Sequence, residues 1–177
     1  MAAAPKIAPP SVGRFFEAHA STLDLELVAG AQGLDRVIRE PTVNRPGLAL
    51  SGFYNYFAPK RVQVFGSAEL SYLQSLPAAD RKERLRRFFG CSIPCLVIAR
   101  QAKIPPNLRE MADHAGVPVF RTPMITMKFI NAATIALEFE FAPRRSEHGS
   151  MVDILGVGTL IRGASGIGKS EIGRAHV

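Results

Sequence analysis

The chain has 177 residues, 47% apolar and 21% charged, which excludes a disordered or collagen-like polypeptide and fits about one ordinary domain with length enough to bury a core. Lys and Arg number 22 against 15 Asp and Glu, a net charge of +7. That balance points to an anionic partner (nucleotide, nucleic acid or acidic protein) without choosing among them.

The N-terminus, Met1-Ala-Ala-Ala-Pro-Lys-Ile-Ala-Pro-Pro10, has no apolar core segment and is broken by prolines, so no secretory signal is read there. No run approaches the ~18 apolar residues of a membrane span. A soluble, cytoplasmic protein with reduced thiols is expected. Ser11 to His19 reads as a first helix, with Ser11 as N-cap and Val12, Phe15 and Phe16 on its apolar side. Leu23 to Val28 alternates apolar and charged residues, the period of a half-buried strand. Gly30 and Gly33 punctuate the next stretch, and Val37-Ile38 begins a short strand stopped by Pro41 and Pro46.

Residues 46–76 carry Phe53, Tyr54, Tyr56, Phe57, Phe65 and Tyr72. Interleaved with Lys60 and Arg61, these aromatics have the makings of a base-stacking surface. The alternative is that Tyr54 and Phe57, bounded by Pro59, pack a helix end. No nucleic-acid motif accompanies them, which favours packing and a protein without a nucleic-acid partner.

Val62 to Phe65 reads as a strand, Ala68 to Leu76 as a helix and Ala79 to Phe89 as a basic helix. Within the last, Arg81 to Arg87 holds five basic residues and one acidic. With Leu85, Phe88 and Phe89 at helical spacing, this is the solvated side of an amphipathic helix, with a dedicated anion or partner patch as the alternative. Ile93 to Ala99 reads as a buried strand in which Cys95 is a small hydrophobe. Cys91 and Cys95 have no further Cys or nearby His cluster to make a zinc site. Asn107 to His114 is a helix, Val117 to Phe120 a strand, and Thr126 to Phe141 a helix through Ile130, Ala133, Leu137 and Phe141. Strands alternating with helices predict an α/β domain with a largely parallel sheet over residues 1–141. The polar, Pro-containing stretch from Ala142 to Gly149 then marks a boundary. Beyond it come two β-rich runs around Gly156, Met151 to Leu155 and Val157 to Ile161, so residues 142–177 begin a second domain.

The segment that carries chemistry is Gly163-Ala164-Ser165-Gly166-Ile167-Gly168-Lys169-Ser170, a full match to the phosphate-loop pattern G-x-x-x-x-G-K-[ST]. Its glycines let successive main-chain N–H groups turn inward as an anion nest. Lys169 offers an ammonium to the β- and γ-phosphate oxygens, and the Ser170 hydroxyl is a ligand for Mg2+. A helix starting there aims its positive end at the same phosphates. The run Val157 to Ile161 supplies the preceding strand that this motif requires. His148, in the linker, reads on its own as an exposed or locally hydrogen-bonded residue.

The chain resembles the HPr kinase/phosphorylase family, bacterial enzymes acting on a serine of the phosphocarrier protein HPr. The matching blocks are Pro46-Gly-Leu-Ala-Leu-Ser-Gly-Phe53 with Tyr56-Phe57, Arg61-Val-Gln-Val-Phe65 and Glu69-Leu-Ser-Tyr-Leu73. They continue with Arg81 to Leu85, Ile93-Pro-Cys95, Gly116 to Pro123, His148-Gly149 and the phosphate loop. The likeness runs in order from about residue 12 to about residue 171. It implies an N-terminal α/β domain followed by a P-loop kinase domain like that of phosphoenolpyruvate carboxykinase. It also implies serine phosphorylation of HPr with ATP or pyrophosphate as donor, the reverse phosphorolysis, regulation of the phosphotransferase system, and a hexamer assembled through the kinase domain.

By this resemblance Lys169 and His148 fall on the family's active-site Lys and His, Gly163 to Ser170 on its nucleotide loop, and Ser170 on its Mg2+ ligand. Ala164 departs from the family's usual Asp. Ile172 to Val177 departs from its apolar helix and is read as non-native. The family's proton-accepting Asp lies downstream of the loop, so the chain is expected to be a C-terminally truncated fragment without phosphotransfer activity of its own. The alternative from another class is a regulatory, partner-binding module with a vestigial nucleotide loop.

Overall fold

The structure of the protein is a computed structural model that describes residues 8–105, 107–144, 149–163 and 166. The chain divides into two compact units, one running to Ala142 and the other beginning at Pro143. The first unit is a mixed α/β fold. Its strands are β1 (Glu26–Ala29), β2 (Val43–Asn44), β3 (Val62–Phe65), β4 (Leu96–Ile98) and β5 (Val119–Arg121), in the spatial order β1-β5-β4-β3-β2. Strands β2 to β5 run parallel, and β1 closes one edge antiparallel to β5. The helices are α1 (Val12–His19), α2 (Gly47–Ser51), α3 (Ser67–Ser75), α4 (Ala78–Phe89), α5 (Leu108–Ala115) and α6 (Thr126–Phe141).

Successive side chains of a strand point to opposite faces, so each central strand feeds two cores. Phe65, Leu96, Ile98 and Val119 meet Leu73, Leu85, Phe88 and Leu108 from α3, α4 and α5. On the other face Val62, Val64, Val97 and Phe120 meet Val12, Phe15, Phe129 and Leu137 from α1 and α6. A sheet covered on both faces needs apolar residues at every position, the reason these strands read as unbroken apolar runs. Gln63 is the polar exception, fully buried in β3. Its Nε2 donates to the carbonyls of Ala58 (2.9 Å) and Arg61 (2.8 Å), and its Oε1 accepts from Asn44 Nδ2 (2.8 Å), so the burial leaves no unpaired group.

Several elements fall where the sequence places them. Ser11 caps α1 by accepting from the Arg14 N–H at 3.2 Å, and α6 has the predicted bounds. Others are corrected. Val37-Ile38 forms no strand: Val37 makes an isolated bridge to Ser11, and the Ile38 N–H donates to the Pro10 carbonyl. Their main chain is spent on the entry to α1 rather than on the sheet. The strand expected over Leu23 to Val28 begins only at Glu26, because Leu23 and Leu25 donate back to His19 and Ala20 and Asp24 turns the chain at φ 47°. The ladder of β4 is shorter than Ile93 to Ala99, though that whole run is buried; Pro94 has no N–H to contribute. Likewise β5 starts after Pro118 and not at Val117. Strand β2 and helix α2 are additional to the elements that the sequence predicts.

Candidate phosphate-binding site

The second unit contains a hairpin of β6 (Ser150–Ile154) and β7 (Val157–Ile161), paired antiparallel from Ser150 opposite Ile161 to Ile154 opposite Val157. Its connection is Leu155-Gly156, with φ 54° and 81°. Two consecutive left-handed residues match the twist of a tight hairpin. Asp153 Oδ1 accepts from the Gly156 N–H at 2.8 Å. The two β-rich runs around Gly156 are therefore one ribbon, and β7 leads straight into the glycine-rich motif.

The register has a consequence for the site. Because Ser150 pairs with Ile161, the chain enters the hairpin through Gly149 and leaves it toward Gly163 at the same end. Directly opposed residues in an antiparallel pair have Cα atoms ~5 Å apart, so segments far apart in sequence share one anchor. Gly149 is part of it: a Cβ built there would lie 2.7 Å from the Ile161 carbonyl oxygen and 2.8 Å from Leu160 Cδ1. Close main-chain approach thus demands glycine beside His148. Sequence reading missed this requirement, and the only signal for it was the His-Gly dipeptide itself. Of the motif, Gly163 and Gly166 are described. Gly166 has φ 83°, and a Cβ added there would meet open space; it is the left-handed backbone, not crowding, that suits glycine at this position. His148, Ala164, Ser165, Ile167, Gly168, Lys169 and Ser170 lie outside the described residues.

The aromatic and basic residues of the first unit resolve differently. Phe57 packs on Phe88 (ring centroids 6.0 Å apart) and edge-on to Tyr54 (5.6 Å). The Arg87 guanidinium lies 4.4 Å from the Tyr54 ring centre, a cation–π contact. Burial pushes the Tyr54 phenol above its usual pKa, against the lowering influence of Arg87 and Arg84. Phe65 and Tyr72 belong to the core and its margin, whereas Phe53 and Tyr56 stand exposed. Packing therefore accounts for Tyr54, Phe57, Phe65 and Tyr72, against α4 and the core rather than merely at a helix end. In α4 itself Leu85, Phe88 and Phe89 are buried, and Arg86 forms a two-pronged pair with Glu83 at 2.8 Å on the solvent side.

Among the described residues, no group of His, Cys, Asp and Glu is placed to hold a metal ion, and no helix is long and apolar enough to cross a membrane.

Two family models match the chain: HPr Serine kinase N terminus over residues 11–137, and HPr Serine kinase C-terminal domain over residues 139–177. The HPr kinase/phosphorylase of Clostridium perfringens is 49% identical over 129 residues, covering 73% of this chain and 42% of its own. That of Bacillus velezensis is 41% identical over 147 residues, 83% of this chain and 47% of its own. That of Chloroherpeton thalassium is 42% identical over 164 residues, 92% of this chain and 48% of its own. The chain thus spans about half the length of the curated relatives it matches. Among solved structures, the CBS and DRTGG domains of the regulatory region of Clostridium perfringens pyrophosphatase, complexed with the activator diadenosine tetraphosphate, give a TM-score of 0.49 at 10% identity. The match covers 72% of this chain and 50% of that one, too remote to inform the fold.

Proposed function

The chain belongs to the HPr serine kinase family, and from that premise we propose that its gene product transfers a phosphoryl group from ATP or pyrophosphate to a serine of HPr. In reverse, inorganic phosphate removes that group to give pyrophosphate. The observation that supports this most is the intact G-x-x-x-x-G-K-S sequence from Gly163 to Ser170, placed directly after β7. In this reading residues 1–141 are the N-terminal α/β domain and residues 142–177 begin the P-loop kinase domain. The partner is HPr, the assembly is a hexamer built through the kinase domain, the compartment is cytoplasmic, and the role is control of the phosphotransferase system.

In the forward direction the serine oxygen forms a bond to the terminal phosphorus of the donor as the bridging oxygen bond breaks, and the hydroxyl proton passes to a base. The main-chain amides of Gly163, Ala164, Ser165, Gly166, Ile167 and Gly168 hold the polyphosphate, and Lys169 neutralises charge on the oxygens that gain it. His148, which falls on the family's active-site His, acts on the reacting phosphate. The donor set suits Mg2+, since Ser170 offers a hard oxygen beside an ammonium that is no metal ligand. Magnesium, when bound, supplies charge neutralisation at the phosphate oxygens.

The test is phosphoserine formation on HPr by the full-length gene product with ATP or pyrophosphate and Mg2+, read by intact-mass spectrometry. The Lys169→Ala variant is expected to lose a factor of ~100 or more in turnover, the scale of deleting one preorganised charge stabiliser. Normal turnover in that variant refutes the role of Lys169. A wild-type protein indifferent to ATP, pyrophosphate and Mg2+ replaces this reading with that of a non-catalytic partner-binding module.

A further inference from the structure

The outward side of α6 carries a pattern that nothing in the phosphate-loop reading uses. Phe129, Ala133 and Leu137 seat the helix on the sheet. Its exposed residues are Met127, Lys128, Asn131, Ile135, Glu138 and Phe139. At 100° per residue these six fall within one sector of about 120°. Three are large and apolar, with Met127 59%, Ile135 68% and Phe139 63% exposed, whereas the outer side of α4 is charged. An apolar stripe of this kind on a surface helix marks a contact surface. The two charges in the stripe, Lys128 and Glu138, lie ~15 Å apart along the axis, too far to pair with each other. Neither takes part in an ion pair among the described residues.

The order of these residues is symmetric about Ala133. Met127 and Phe139 are equidistant from it in sequence, as are Lys128 and Glu138, and Asn131 and Ile135. We propose that α6 is a self-association surface on which a second copy of this chain docks antiparallel, about a two-fold axis at the level of Ala133. That arrangement sets each Met127 thioether against the partner's Phe139 ring, a favourable sulfur–aromatic contact. It sets each Lys128 against the partner's Glu138, and Asn131 beside Ile135. All six exposed residues are used, and the Lys128–Glu138 pair forms twice, as a like-with-like interface requires. A parallel arrangement would oppose Lys128 to Lys128 and Glu138 to Glu138, so the charges select the antiparallel one. The stripe is only ~18 Å long, and a stable dimer buries ~800 Å² per partner. The association is therefore weak and reversible. It involves the first unit alone and does not depend on the phosphate-loop reading.

The test is sedimentation equilibrium of the 177-residue chain with a charge swap. Wild type should show a monomer–dimer equilibrium with a dissociation constant between ~10 and ~1000 μM, the range of small interfaces. Lys128→Glu and Glu138→Lys each place two like-charge contacts across the axis and should weaken association ~10-fold or more. An equimolar mixture of the two variants restores both opposite-charge contacts in the mixed pair and should return to wild-type affinity. Both sites are exposed, and unchanged thermal melts verify folding. A wild type that stays monomeric at ~1 mM, a dimer that ignores either reversal, or a mixture no tighter than its components would each overturn the proposal.

Discussion

Glu69 is the most informative single residue to remove from the first unit. It is 4% exposed, and one oxygen, Oε2, accepts from both the Gly66 N–H and Arg45 Nη2, each at 2.9 Å. Reaching back to the residue before α3, it makes half of a capping box; glycine at position 66 has no side chain to make the other half. In Glu69→Ala the Gly66 N–H stays buried without its charged acceptor, at a cost of about 1.5–3 kcal/mol. Arg45 is 42% exposed and rehydrates, so its share is only about 0.5–1 kcal/mol. The sum is about 2–4 kcal/mol, or a Tm lower by roughly 6–12 °C for a unit of this size. Glu69→Gln keeps an acceptor for Gly66 but no charge, and should cost about half as much. Urea unfolding followed by circular dichroism measures both variants, and an unchanged slope shows that the shift is one of stability. An alanine variant within ~0.5 kcal/mol of wild type, or a glutamine variant as costly as alanine, would refute this account of the α3 entry.

Gly30→Ala should be severe where Gly116→Ala is mild, although both glycines are left-handed. A Cβ on Gly30 would lie 2.0 Å from the Val117 carbonyl oxygen, whereas on Gly116 its nearest neighbour is Gln32 Cγ at 3.8 Å. The left-handed backbone accounts for ~1–2 kcal/mol in each, and displacing the lead-in to β5 takes Gly30→Ala to about 3 kcal/mol or more; equal losses in urea unfolding would contradict this. Burial pushes the Cys95 thiol up to about 12, while in the unfolded chain it ionises near 8.5. Its contribution is therefore complete below about pH 8.5 and is lost as pH rises toward 12, at up to ~1.4 kcal/mol per pH unit. The difference in unfolding free energy between pH 8 and pH 10 should shrink in Cys95→Ala, and an identical pH dependence would count against a buried neutral thiol. Disulfide-exchange labelling of the folded chain near neutral pH should modify half-buried Cys91 and spare Cys95.

Local chemistry was enough to read α6, with its long unbroken run, the Ser11 cap, and β3, three of whose four residues are apolar. The loop from Gly163 to Ser170 rests on the sequence alone: a phosphate nest is made by consecutive main-chain amides and its requirement is written in closely spaced glycines, of which Gly163 and Gly166 are described. What the sequence left open depended on distant partners. Val37-Ile38 and Val43-Asn44 are similar short apolar-containing pairs, yet only the second joins the sheet, since a ladder needs a neighbouring strand with free N–H and C=O groups, and β3 offers them to β2 while Pro10 and Ser11 claim the first pair. Gly30 and Gly149 look like ordinary loop glycines until the Val117 and Ile161 carbonyls are found against them. The same holds for the aromatic run, in which Tyr54 and Phe57 turn inward and Phe53 and Tyr56 do not: side-chain type sets what a residue can bury, and only the folded neighbours decide whether there is anything to bury it against.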